Sequence, residues 1–203
     1  MTRMQRQLLI FNRIKDVPTR EQASFGRIVG PGELTKSFGI SLRTLQRDLR
    51  DIRECGLINV VYDKSGDRYL ESDKTAIPGE GAGARRMQHL SRLYRLGTLI
   101  DHLPSVSVSE LEDYESRLSE YNDLVEWSKE SPEDFTPEDV KKKYDEVLAH
   151  KPEFCDIAKT YSTLFPACSA RTRQRDLREL RSAGFDIYYD SRHKAVIYLV
   201  NDE

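Results

Sequence analysis

Arg43, Arg47 and Arg50 stand at i, i+4 and i+7, the spacing that sets three guanidinium groups on one face of an α-helix. A guanidinium offers a planar fork of donors that suits phosphate oxygens and the O6/N7 edge of guanine. Gln46 has the donor and acceptor pair that matches adenine, and Ser41 and Thr44 lie near the helix start, where hydroxyls hold phosphates. The set occurs twice. SLRTLQRDLRDIRECG (Ser41–Gly56) aligns without gaps to SARTRQRDLRELRSAG (Ser169–Gly184), with 10 of 16 positions identical. The second copy supplies Ser169, Arg171, Thr172, Gln174, Arg175 and Arg178. A competing reading is a solvated face, in which Asp48, Asp51 and Glu54 neutralise the arginines through i, i+3 and i, i+4 pairs.

The elements that must position these residues are legible around them. Leu42, Leu45, Leu49 and Ile52 step by 3, 4 and 3, which predicts one buried helical face opposite the arginines. Ser41 is placed as N-cap, and Gly56 stands where a helix stops. Upstream, Glu33–Phe38 predicts a short helix followed by a turn at Gly39. An earlier helix over 5–15 buries Leu8, Leu9, Phe11 and Ile14. Downstream, Val60–Tyr62 and Arg68–Leu70 flank Lys64-Ser65-Gly66-Asp67 and predict a hairpin. Three helices and a hairpin in that order make a winged helix, assigned to residues 1–70. The expected fold class is therefore mainly α with small β-hairpin wings (α+β), as tandem winged helix-turn-helix units with a helical insertion.

ELTKSFGISLRTLQRDLRDIRECGL (Glu33–Leu57) resembles the N-terminal domain of the DeoR/YafY-type winged helix-turn-helix transcriptional regulators, whose pattern is roughly LAxxLGVSxRTIxRDLxxLRxxGL. The resemblance covers about residues 4–70, and about 160–200 in the second copy. It implies that the helix opening Ser-x-Arg-Thr enters the major groove of DNA and that the wing follows the backbone. By matching positions, it carries DNA contacts onto Ser41, Arg43, Thr44, Gln46, Arg47 and Arg50, with Lys64 and Arg68 in the wing. The WYL and sugar-phosphate-sensing domains of many relatives have no counterpart in this sequence.

The second copy departs from the first at two places. Arg173 stands where Leu45 packs, and FPACS replaces the Phe-Gly-Ile turn. It is either a second reader of DNA or a degenerate copy with a structural or protein-binding role. Residues 71–84 (ESDKTAIPGEGAGA) read as a linker, which starts a second winged-helix-like domain at 85–203. Its opening helix, Arg85–Leu103, resembles that of the first unit, and an insertion of about 104–150 follows. Within the insertion Leu111, Tyr114, Leu118, Tyr121 and Val125 form an a/d seam. The seam closes either a helix hairpin within the chain or a homodimer. Thr136-Pro137-Glu138-Asp139 predicts the start of another helix.

Charge is polarised along the chain. The 203 residues carry a net −2, yet residues 1–70 hold 13 Lys/Arg against 8 Asp/Glu, and residues 105–150 hold 5 against 14. DNA meets the local field, so a basic end serves an acidic protein while its middle faces away. No apolar run reaches the roughly 18 residues of a membrane span, and the amphipathic start does not read as a signal peptide. Cys55, Cys155 and Cys168 show no metal-ligand spacing and read as small apolar residues of a reduced, cytoplasmic protein. His89, His102, His150 and His193 have no partner at ligand or triad spacing, and no phosphate-binding glycine loop occurs. The expectation is a cytoplasmic repressor, without cofactor or enzyme activity, that binds double-stranded DNA as a homodimer. The rival readings are a plasmid- or phage-type replication initiator and a winged-helix scaffold that binds protein.

Overall fold

Thr2 Oγ1 accepts the Gln5 amide and the Gln5 side chain accepts the Thr2 amide, so the chain enters its first helix through a capping box. The computed structural model describes residues 1–22, 28–72 and 83–201. In chain order its elements are α1 (Arg3–Ile14), α2 (Pro31–Phe38), α3 (Leu42–Glu54), β1 (Val60–Asp63), β2 (Arg68–Glu71) and α4 (Ala84–His102). They continue with β3 (Ser105–Ser107), α5 (Val108–Glu130), α6 (Pro137–Ala149), α7 (Ile157–Leu164), α8 (Ala170–Ser182), β4 (Asp186–Asp190) and β5 (Ala195–Val200). The chain is mainly helical with small β elements, the α+β class expected. Two compact units form, one from Met1–His102 with Tyr161–Gly184, the other from Leu103–Thr160 with Phe185–Glu203.

In the first unit, α2 starts with Pro31 in its first turn and ends at Gly39, whose φ of +60° suits a residue without Cβ. Ser41 then caps α3 by accepting the Thr44 amide at 3.2 Å. Leu45 and Ile52 are buried and Leu49 is half-buried, but Leu42, expected in the same stripe, is exposed. It stands in the first turn of α3, facing a groove lined by Val60, Tyr62 and Tyr69 rather than the core. Strands β1 and β2 pair antiparallel from Val60↔Glu71 to Asp63↔Arg68. The far side of β2 is also bonded, because the Tyr69 and Glu71 amides donate to the carbonyls of Val29 and Pro18.

The boundary read at 71–84 does not separate compact units. Glu71 closes β2, Ala84 opens α4, and residues 73–82 lie outside the described residues. Helix α4 belongs with α1 and α3 because its Gly97 permits close approach: a Cβ there would lie 2.3 Å from Leu57 Cδ1. Arg86 of α4 also bonds Glu54 of α3 at 2.5 Å and Asp51 at 2.9 Å. Helix α8 returns to the same unit, where the Gln5 side chain donates to the Ser182 carbonyl at 2.7 Å. This arrangement sorts charge further than the linear sequence does. The first unit's residues include 23 Lys/Arg against 14 Asp/Glu, and the second's 9 against 20.

The second unit contains a three-stranded sheet in the order β3-β5-β4. β4 and β5 form the hairpin that the repeat implies, whereas β3 was not expected. It pairs parallel to β5 through Val106↔Leu199, and three residues with one apolar side chain leave no periodic signal in sequence. Helices α5 and α6 start with capping boxes at Ser107/Glu110 and Thr136/Asp139. They run antiparallel, with Arg117 bonded to Glu146 at 2.6 Å and Lys143 to Glu120 at 2.7 Å. The a/d seam is engaged within the chain. Tyr121 packs on Tyr144 of α6 with ring centroids 5.4 Å apart, and Tyr114 meets Phe154 and His193. Among the described residues no helix is long and apolar enough to cross a membrane.

Candidate nucleic-acid interface

Helix α3 turns Arg43, Gln46, Arg47 and Arg50 outward, with Thr44 half-buried and Ser41 holding the cap. Arg43, Thr44, Gln46, Arg47 and Arg50 line one depression of ≈ 350 Å³. Helix α8 has its counterpart, ≈ 440 Å³, lined by Ser169, Arg171, Thr172, Gln174, Arg175 and Arg178. Ser169 caps α8 as Ser41 caps α3, accepting the Thr172 amide at 3.3 Å. Both ends are therefore serine-capped helix N-termini with a hydroxyl pair and a row of arginines.

What becomes of the carboxylates decides the electrostatics of these faces. Asp48, Asp51 and Asp176 are fully buried. Arg6 of α1 holds Asp48 through Nε at 2.6 Å and Nη2 at 3.3 Å. Gln7 donates to Asp48 at 3.2 Å and to Asp51 at 2.6 Å, and Arg3 also pairs with Asp51. On the second copy, Arg95 of α4 holds Asp176 in the same two-bond manner, Arg92 pairs with Glu179, and the Tyr161 hydroxyl donates to Asp176 at 2.7 Å. Neutralisation along α3 is thus reduced to Arg50 with Glu54 at 3.9 Å, and Glu54 is shared with Arg86. Among the described residues Arg43 and Arg47 have no ion-pair partner.

The two clamps are built alike. Arg3 and Arg6 are three residues apart, as are Arg92 and Arg95, so each pair occupies one side of its helix. They bind acids three apart, Asp48 with Asp51 and Asp176 with Glu179. Burial and the Asp176 bond both push the Tyr161 phenol well above its ordinary pKa, so it remains a donor. The Asp176 bond likewise holds Arg95 above its usual value. Nothing in the sequence singled these residues out, because a gapless match of α1 to 92–103 keeps the two arginines and little else. Arg173, in the place of buried Leu45, is half-buried.

The hairpin places its two expected contacts differently. Lys64 is exposed in the turn, whereas Arg68 is half-buried and paired with Asp63 at 3.6 Å. Asp63 also accepts from the Ser65 amide and hydroxyl, and these bonds hold its carboxyl below the usual range. Arg68 therefore braces the turn that presents Lys64. The three thiols are free, and burial pushes Cys55 up to about 12. Among the described residues no group of three His, Cys, Asp or Glu is placed to hold a metal. No protein family, curated protein or solved structure matches the chain.

Proposed function

We propose that the chain is a sequence-specific regulator of transcription, acting as a repressor, that binds double-stranded DNA through tandem winged helix-turn-helix units. The observation that supports it is the inward turn of Asp48, Asp51, Asp176 and Glu179, which leaves two matched arginine faces with Arg50–Glu54 as their one ion pair among the described residues. In this reading α3 lies in the major groove with Arg43, Gln46 and Arg47 at base edges. Ser41, Thr44 and Arg50 hold phosphates, and Lys64 follows the neighbouring backbone with Arg68 behind it. Helix α8 is the second reader, through Arg171, Gln174, Arg175 and Arg178 with Ser169 and Thr172 at its start.

The homodimer is part of the same proposal. Its contact is the exposed apolar surface of the middle, where Trp127, Tyr144 and Leu148 lie on α5 and α6. The protein works in the cytoplasm, where its three thiols stay reduced.

The test is selection of bound duplexes from a random-sequence pool by the full chain. An enriched inverted repeat supports the repressor, and direct repeats point to the initiator. Absence of any enrichment by the folded protein overturns DNA reading and leaves the protein-binding scaffold.

A further inference from the structure

Apart from the two arginine faces, the first unit carries a cavity of ≈ 680 Å³ between the start of α1, the first half of α4 and α8. Arg3, Arg85, Arg92, Arg95 and Arg175 line it, against Glu179 as the one carboxylate among the described residues. Arg3, Arg92 and Arg95 are engaged with Asp51, Glu179 and Asp176. Arg85 and Arg175 are exposed and have no ion-pair partner among the described residues. The first turn of α1 opens here with no acidic residue in it, so the positive end of the helix adds to the field. A titrating group records that field: burial first, and then the charge of Arg3, hold the His89 imidazole below its ordinary pKa.

The lining also limits what can bind. Among the described residues no Phe, Tyr or Trp faces the cavity and Met4 is its one apolar side chain, while Thr2, Gln88, His89 and Ser91 supply polar groups. Such walls give almost no apolar surface for a hydrophobic effector. Several guanidinium forks around a space larger than one phosphate fit clustered phosphate oxygens. We propose that this cavity binds an anion carrying two or more phosphate groups. Arg175 lines both this cavity and the outward face of α8. An occupant of the cavity and a DNA phosphate at α8 therefore draw on the same guanidinium, so a free oligophosphate would weaken DNA binding at the second copy. The alternative source of the same chemistry is the DNA backbone itself, running from α8 across α4.

The experiment uses the full chain, inorganic pyrophosphate as probe, and the variants Arg85→Ala and Arg43→Ala/Arg47→Ala. Arg85 is exposed and bears no ion pair among the described residues, so its variant should keep the fold. Calorimetry should show saturable pyrophosphate binding that Arg85→Ala weakens at least tenfold and Arg43→Ala/Arg47→Ala leaves unchanged. A free anion as occupant is indicated if pyrophosphate reduces DNA affinity of the parent but not of Arg85→Ala. A backbone occupant is indicated if Arg85→Ala itself weakens DNA binding and lowers the salt slope by about one. If Arg85→Ala alters neither pyrophosphate nor DNA binding, the site is overturned. The pyrophosphate arm stands even where the DNA-reading proposal fails, because it needs no DNA.

Discussion

Arg6 of α1 closes on Asp48 of α3 with Nε 2.6 Å from Oδ2, and the carboxylate is fully buried. An acid that the sequence offers among the neutralisers of the arginine face is instead held on the inner side of α3, against α1. A buried carboxylate that loses its cation is left uncompensated in a low-dielectric interior. Arg6→Ala should therefore destabilise the chain by about 3–5 kcal/mol, as should Arg95→Ala through Asp176. Denaturant titration measures this, and a loss under about 1 kcal/mol would show that solvent reaches these carboxylates.

On the outward face the expectation is reversed. Arg43→Ala and Arg47→Ala remove exposed guanidiniums with no ion pair among the described residues, so stability should hardly change. Each should weaken binding to a selected DNA site by about 1–3 kcal/mol if it reads a base edge. Fluorescence anisotropy on the folded variants checks this, and parent-like affinity in both would remove the N-terminal readout.

Salt dependence addresses phosphate contact in bulk. A surface that neutralises several phosphates releases their counterions, so log affinity should fall against log salt with a slope of about −0.9 per phosphate. A flat plot would favour protein binding over DNA binding.

The second copy is tested by comparing footprints. Arg171→Ala/Arg175→Ala should shorten the protected stretch if α8 reads DNA, while Arg43→Ala/Arg47→Ala removes the other half. If the α8 pair leaves the footprint unchanged while dimerisation is lost, α8 is a structural copy and the two-reader proposal falls.

His89 gives the pH expectation. Its ring, half-buried and bonded to Gln7 Oε1 at 2.8 Å, has its pKa lowered by burial, by Arg3 and, to a smaller extent, by Arg86 and Arg92, with Asp51 opposing. The unfolded chain then takes up the proton more readily than the folded one. Its contribution to stability is intact above the unfolded value of about 6.5 and is lost as pH falls through the lower folded value. Denaturant midpoints at successive pH values should decline over that range, and His89→Gln should flatten the decline. An identical pH profile for the variant would assign the decline to other groups.

Local chemistry was legible because it is written in neighbouring residues. Ser41 and Ser169 cap their helices, Gly39 and Gly56 take left-handed φ where the chain must turn, and Thr136-Pro137 starts α6. Each of these depends on contacts within a few residues, so type and spacing suffice. The matched arginine faces follow from the repeat for the same reason. What tertiary structure alone decided is where the acids go and which helices share a unit. Asp48 meets Arg6 across 42 residues and Asp176 meets Arg95 across 81, and no period in the sequence records pairings of that length. Gly97 against Leu57 and the short β3 beside β5 are likewise products of packing, since each needs a surface that exists only once the chain has closed on itself.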